Sequence, residues 1–210
     1  GLQEDPDVLD PDQSRTFVGR IVYTSLCDKL VDITPELKII PQLATGWKWS
    51  ADGLTLTMDL REGVTFHDGT PFNAEAVKIN FDRWDNFAEE FQGNAYYYGA
   101  VMNGFGDTNL IESVEATGEY EVTITLTEAS PTFLYGIALT PFSIVSPAVL
   151  ESTNADDPTA STLGTEVVAG GTGPFILEEY TPDDSAVLAR YDDYHGEHTS
   201  YLDRVIIRPI

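Results

Sequence analysis

The chain has 210 residues, of which 42% are hydrophobic, enough for one ordinary domain or two small ones with a sizeable core, and this excludes a disordered tail. Eleven Lys and Arg against 35 Asp and Glu give a formal charge of −24, which repels phosphate backbones and anionic headgroups and excludes nucleic acid as a partner. No apolar run approaches the roughly 18 residues that would span a bilayer, and the single Cys27 excludes an intrachain disulfide.

Scarce cysteine is tolerated in any compartment but suits a secreted or periplasmic protein. The opening GLQEDPDVLDP has neither a basic segment nor an apolar stretch of signal-peptide type, so a processed or trimmed start is expected. Residues 1–16 read as an extended segment leaving a turn at LDPDQS. Val18, Ile21, Val22, Leu26 and Leu30 recur near helical spacing and predict a helix from Phe17 to Leu30.

Two strands follow from alternation. Leu54, Leu56, Met58 and Leu60 alternate with Thr55, Thr57 and Asp59, and Tyr120, Val122, Ile124 and Leu126 alternate with Glu121, Thr123, Thr125 and Thr127. Such patterns predict half-exposed strands of one antiparallel sheet. Between them Asn73 is an N-cap, without a capping box because Ala76 holds the third position, and Val77, Phe81, Trp84 and Ala88 share one helical face. From Ser130 the chain is apolar and Pro-punctuated. ESTNADDPTASTLGTE then reads as a polar loop marking a subdomain boundary, GPFILEEYTPDDSAVLARYDDY as a hairpin, and DRVIIRPI as a last strand. An end on a strand is expected of a truncated chain.

Candidate chemistry is sparse. His67-Asp68 precedes Gly69 and Pro71, which is turn chemistry, and no partner at ligand spacing lies nearby. His195, Glu197 and His198 are broken by Gly196 and lack HExxH order, so a loop with exposed imidazoles is expected there. AGGTGPF lacks the Lys and Ser/Thr of a phosphate loop and reads as a turn, while Cys27 has no motif around it. The many carboxylates leave a paired-carboxylate hydrolase open without proposing a pair. Tyr96, Tyr97 and Tyr98, with Phe133 and Tyr135, are rings that wall a binding cleft or pack in the core.

The stretch LATGWKWSADGLTLTMDLREGVTFHDGTPFNAEAV resembles the signature of the extracellular solute-binding proteins of ABC importers, peptide/nickel type. DPDVLDP, GTGPF, and YDDYHG before YLDRVIIRPI agree in the same order, although His195 stands where that family usually has Trp. The resemblance implies an α/β, periplasmic-binding-protein-like first lobe with a mixed β-sheet plus an extra α/β subdomain, the second lobe being absent from this chain. It implies residues 1–40 as the first part of the lobe, 41–165 as the extra subdomain with the signature, and 166–210 as the return to the lobe.

By the same resemblance, Arg15, Thr16, Phe17 and Val18 form an extended segment that pairs with ligand backbone, and Tyr97, Tyr98 and Phe133 approach the cleft. No catalytic residue, metal or cofactor is implied. The expected activity is capture of a small solute, foremost a peptide, outside the cytoplasmic membrane and delivery to an ABC permease, by a monomer at full length. It would be periplasmic or extracellular, free or lipid-anchored. A carboxylate-based hydrolase, or a sensor or adhesin on the same lobe, is the alternative.

Overall fold

Thr16 converts an extended segment into a helix. Its own backbone is extended (φ −83°, ψ 156°) while its Oγ1 accepts from the Gly19 N–H at 3.0 Å, capping α1 (Phe17–Leu26). The computed structural model describes residues 4, 6–157, 161–164, 170–196 and 200–209.

The helix ends four residues before the expected Leu30, and the cause is distant in sequence. Gly173 donates its N–H to the Leu26 carbonyl at 3.0 Å, and a Cβ at Gly171 would sit 2.0 Å from that same oxygen. The glycine-rich segment is therefore a close backbone approach to the end of α1 as well as a turn. Beyond Cys27 the chain is extended because residues 29 and 30 bond to 42–44, with Leu43 and Ala44 N–H groups donating to the Lys29 and Leu30 carbonyls at 3.0 and 2.8 Å.

A short hairpin, β1 (Val31–Ile33) with β2 (Ile39–Pro41), leads into β3 (Ala44–Trp49) and β4 (Thr55–Leu60). Helix α2 (Ala74–Asp85) follows, capped by Asn73, whose Oδ1 accepts from the Ala76 N–H at 3.0 Å as the sequence predicts. Val77, Phe81 and Trp84 are buried on its inner face. Ala88 lies beyond the helix end and is exposed; Phe87 takes the buried position instead. Then come α3 (Tyr96–Val101), β5 (Ile111–Gly118) and β6 (Glu121–Leu126).

The sheet order is β3-β4-β6-β5. Leu56 faces Ile124 and Met58 faces Val122 across β4 and β6, and all four are buried, so the alternation sets both register and inner face. Helix α2 packs on β5 and β6 to close the main core, which holds Phe66, Phe72, Trp84, Tyr98 and Phe133.

Helices α4 (Phe133–Ile137) and α5 (Pro147–Ser152) follow. The expected polar loop thus begins inside α5, at Glu151 and Ser152. The hairpin β7 (Phe175–Thr181) and β8 (Ser185–Arg190), with β9 (Arg204–Ile207), makes a separate sheet against α1, where Val22, Tyr23 and Leu26 meet Phe175, Leu177 and Leu188. The described strand pairings are all antiparallel, so the parallel component of a mixed sheet is not among them.

Polar groups tie these layers together. Asp28 Oδ1 accepts from Gln42 Nε2 at 2.7 Å, its Oδ2 accepts from Thr172 Oγ1 at 3.1 Å, and its carbonyl accepts from the Ile144 N–H at 3.0 Å. On α2, buried Arg83 pairs with buried Asp10 and donates to the Ala155 carbonyl. Asp12 lies beside this pair, and its Oδ2 has no hydrogen-bond partner among the described residues. Burial pushes the Asp12 carboxyl up to about 8, against the opposing pull of Arg83 and with a further push from Asp10.

Candidate functional site

Asp7 shapes the segment ahead of α1. Its carboxylate accepts from Ser14 Oγ at 2.7 Å, from the Arg15 N–H at 2.7 Å and from Thr16 Oγ1 at 3.1 Å. Burial alone would raise the Asp7 carboxyl, but these donors hold it below the usual carboxylate range. Residues 14–16 are thereby fixed, and Arg15 and Phe17 project outward, with Phe17 73% exposed.

The tyrosine segment meets them there. Arg15 donates to the Gly93 carbonyl and stacks over the Tyr96 ring at 5.6 Å; Arg20 donates to the Tyr97 hydroxyl and lies 5.0 Å over that ring. The Tyr96 and Tyr97 rings are themselves edge to face at 5.4 Å. Arg15 thus meets Tyr96 and Arg20 meets Tyr97, so the segment from Arg15 into α1 and the tyrosine segment form one wall of the molecule. Beside them a cavity of about 220 Å³ opens between α1, β1 and α3, lined by Arg20, Thr24, Lys29, Tyr97, Thr140 and Pro141 among others.

Other expected positions are elsewhere. Phe17 and Val18 form the first turn of α1 rather than an extended segment, and Val18 is buried, while the Arg15 N–H already donates to Asp7 and the Thr16 carbonyl accepts from the Arg20 N–H. Tyr98 is buried against Trp84 and Phe105, with its hydroxyl accepting from Asn109 Nδ2 at 2.7 Å. Burial raises its phenol pKa. Phe133 is buried edge to face with Trp49 at 6.1 Å. Both are core residues, Tyr98 among Trp84, Phe105 and Phe142 and Phe133 against Trp49 of β3, and neither presents surface to a cleft.

Arg20 and Lys29, which line the cavity, were not among the residues expected at a site, and Tyr96 was read only as one of three rings that either wall a cleft or pack in the core. Arg20 lies on the same helix as Phe17, one turn beyond Thr16, which is the signal that would have found it.

The remaining candidates are structural. His67 does sit in a turn, with Gly69 at φ +83°, and Asp68 Oδ1 accepts from the Thr70 N–H at 2.9 Å. His67 also bonds through its ring to the Gly173 carbonyl and meets Tyr191 edge to face. His195 is not an exposed imidazole: its Nε2 lies 2.8 Å from Asp28 Oδ2, and its side chain is 11% exposed. Glu197 and His198 lie outside the described residues. Among the described residues no cluster of three or more potential ligands for a metal occurs. Cys27 is buried, and burial together with neighbouring Asp28 pushes its thiol up to about 12, far from a nucleophilic thiolate.

The fold recurs in solved structures. A dipeptide-binding protein from Pseudoalteromonas sp. SM9913 in complex with Met-Leu superposes with a TM-score of 0.85 at 26% identity, covering 100% of this chain and 42% of that one. The ABC transporter-associated periplasmic binding protein DppA from Helicobacter pylori in complex with peptide STSA gives 0.83 at 27% identity, covering 99% and 41%. In sequence, the glutathione-binding protein GsiB of Escherichia coli (strain K12) is 31% identical over 202 residues, 96% of this chain and 36% of that protein's length. The chain thus spans about a third of that relative. Residues 38–210 match the family described as "Bacterial extracellular solute-binding proteins, family 5 Middle". With most of its length inside that match and its fold shared by these relatives, the chain belongs to the bacterial extracellular solute-binding proteins, family 5.

Proposed function

We propose that this chain supplies one wall of a binding protein that captures a small solute, foremost a peptide, outside the cytoplasmic membrane and delivers it to an ABC permease. The observation that carries this reading is the meeting of the Arg15–Phe17 segment with Tyr96 and Tyr97, an exposed aromatic and cationic surface built from two distant stretches of chain. A second lobe would close over that surface, and closure would be the signal the permease reads. The relatives named for dipeptide, peptide and glutathione binding favour a peptidic solute. No covalent step is proposed, and the protein would act as a monomer in the periplasm or at the cell exterior, free or lipid-anchored.

The division of the chain is part of the same proposal. Residues 1–40 with 166–210 would form the lobe near the hinge, and 41–165 the extra subdomain. Two apolar clusters support it, one under β3-β4-β6-β5 and one between α1 and β7-β8. Leu30 and Val31 pack in the first cluster, which favours a boundary near residue 30 over one at 40.

Native mass spectrometry of the full-length protein, followed by titration of the released solute onto wild type and Phe17→Ser, tests the reading. A co-purified peptidic solute, bound at least about tenfold more weakly by the variant, is expected. Solute binding unaffected by substitution at both Phe17 and Tyr97 would place the site elsewhere.

A further inference from the structure

The chain carries 11 cationic side chains against 35 carboxylates, so where the cations without a carboxylate partner lie bears on what they could receive. Lys29, Lys78, Arg83, Arg190 and Arg204 each pair with an acid. Among the described residues Arg15, Arg20, Lys38, Lys48, Arg61 and Arg208 have no carboxylate within ion-pair distance, and of these Arg15 and Arg20 are the two that lie over tyrosine rings. Both guanidinium groups are instead laid over tyrosine rings on the wall described above, each held by one uncharged oxygen, the Gly93 carbonyl or the Tyr97 hydroxyl.

Arg20 faces the cavity that also holds Lys29. Lys29 is almost wholly buried, with 5% of its side chain exposed, and its ammonium is 3.1 Å from Asp32. Two cations and one carboxylate leave that cavity a net positive charge in a protein of charge −24. The Thr24 and Thr140 side chains line it as well. A guanidinium whose orientation is already fixed by stacking retains free N–H donors in a fork that matches a carboxylate.

We infer that the solute received by this wall carries a carboxylate, seated on Arg20 at the mouth of the Lys29 cavity with Arg15 as the neighbouring cation. The inference rests on the reading of the chain as one wall of a peptide-binding protein. It adds the chemical class of the group that this wall recognises. Long-range repulsion from the acidic surface is screened within about 8–10 Å at ordinary ionic strength, so these local cations dominate at contact. A free peptide carboxyl terminus and an acidic side chain share the recognised chemistry.

The test is calorimetric titration of the full-length protein with trialanine, trialanine amide and Ala-Glu-Ala amide. Wild type is expected to bind at least one of the two carboxylate peptides about tenfold or more tightly than trialanine amide. Which of the two is preferred identifies the terminus or the side chain as the source. Arg20→Met should abolish the preference. Arg20→Gln keeps a donor for the Tyr97 hydroxyl but loses the charge, and should abolish it as well, with thermal melts confirming that the protein is folded. Equal binding of acid and amide forms, or a preference that survives in Arg20→Gln, overturns the inference and leaves the peptide-binding reading standing. Failure of all three peptides to bind wild type overturns both.

Discussion

His67 Nε2 lies 2.9 Å from the Gly173 carbonyl oxygen, and the His67 N–H donates to the Gly171 carbonyl at 2.8 Å, so the signature turn and the glycine-rich segment are fastened side by side across more than a hundred residues. The neutral ring serves as donor there. Burial lowers the imidazole pKa from its ordinary 6.5, outweighing the Gly173 bond and the Asp28 and Asp68 charges. The unfolded chain therefore binds the proton more readily than the folded one. Stability that His67 contributes is present above about pH 6.5 and is lost as pH falls toward the lowered folded value. Replacing His67 by Ala is expected to cost about 1–2 kcal/mol in urea denaturation at pH 7.5. Solute affinity should stay within about threefold, since His67 is not on the Arg15–Tyr97 wall, and the variant should lose part of the acid sensitivity seen in melts from pH 7.5 to 5.

Asp12 works in the opposite sense. Its folded pKa of about 8 lies above the ordinary 3.8, so its contribution is full below about pH 4 and is lost as pH rises through 8. Asp12→Asn keeps the shape of the protonated acid and cannot ionise. From neutral pH upward it should melt at least about 3 °C above wild type. Circular dichroism melts of both proteins at pH 5, 7 and 9 measure this; a gap that narrows with rising pH would contradict it.

Gly171 has no room for a side chain. An added Cβ would meet the Leu26 carbonyl oxygen at 2.0 Å and Cys27 Sγ at 2.9 Å. Gly171→Ala should therefore lower stability by roughly 2 kcal/mol or more in urea titration, because the clash is with backbone at a helix end. An unchanged midpoint would mean that α1 and the 170–173 segment are not packed in this way.

Tyr97 and Tyr98 are adjacent and should behave oppositely. Tyr98→Ala empties a fully buried site beside Trp84 and is expected to cost about 3–5 kcal/mol. Tyr97→Ala, at a half-buried wall position, should cost less than about 1 kcal/mol yet weaken solute binding. Paired denaturation and titration measurements separate the two.

Strands β4 and β6 and the start of α2 could be read from local sequence because their determinants are local: a two-residue alternation, and Asn73 capping Ala76. The end of α1 could not, since the groups that stop it are Gly171 and Gly173, some 145 residues onward. Nothing in YYY distinguishes the ring that packs under Trp84 from the one that stacks beneath Arg20; that depends on the phase of α3 against Trp84 and Phe142. His195 looked solvent-exposed for the same reason, its partner Asp28 being 167 positions away. The Arg15–Phe17 and Tyr97 positions came from family resemblance, and Arg20 escaped notice because its pairing with Tyr97 is tertiary.

Asp28 gathers Gln42, Ile144, Thr172 and His195 around one residue, and this imposes an order on synthesis. As the chain leaves the ribosome, β3, β4, α2, β5 and β6 can assemble from one continuous stretch, Ala44 to Leu126. Helix α1, made before these, keeps the face that meets β7 and β8 uncovered until those strands emerge, and the Asp28 carboxylate keeps an unfilled bond until His195 arrives. A helix translated ahead of the four-stranded sheet is thus buried after it, and that interval is when a nascent chain of this design is most in need of a chaperone.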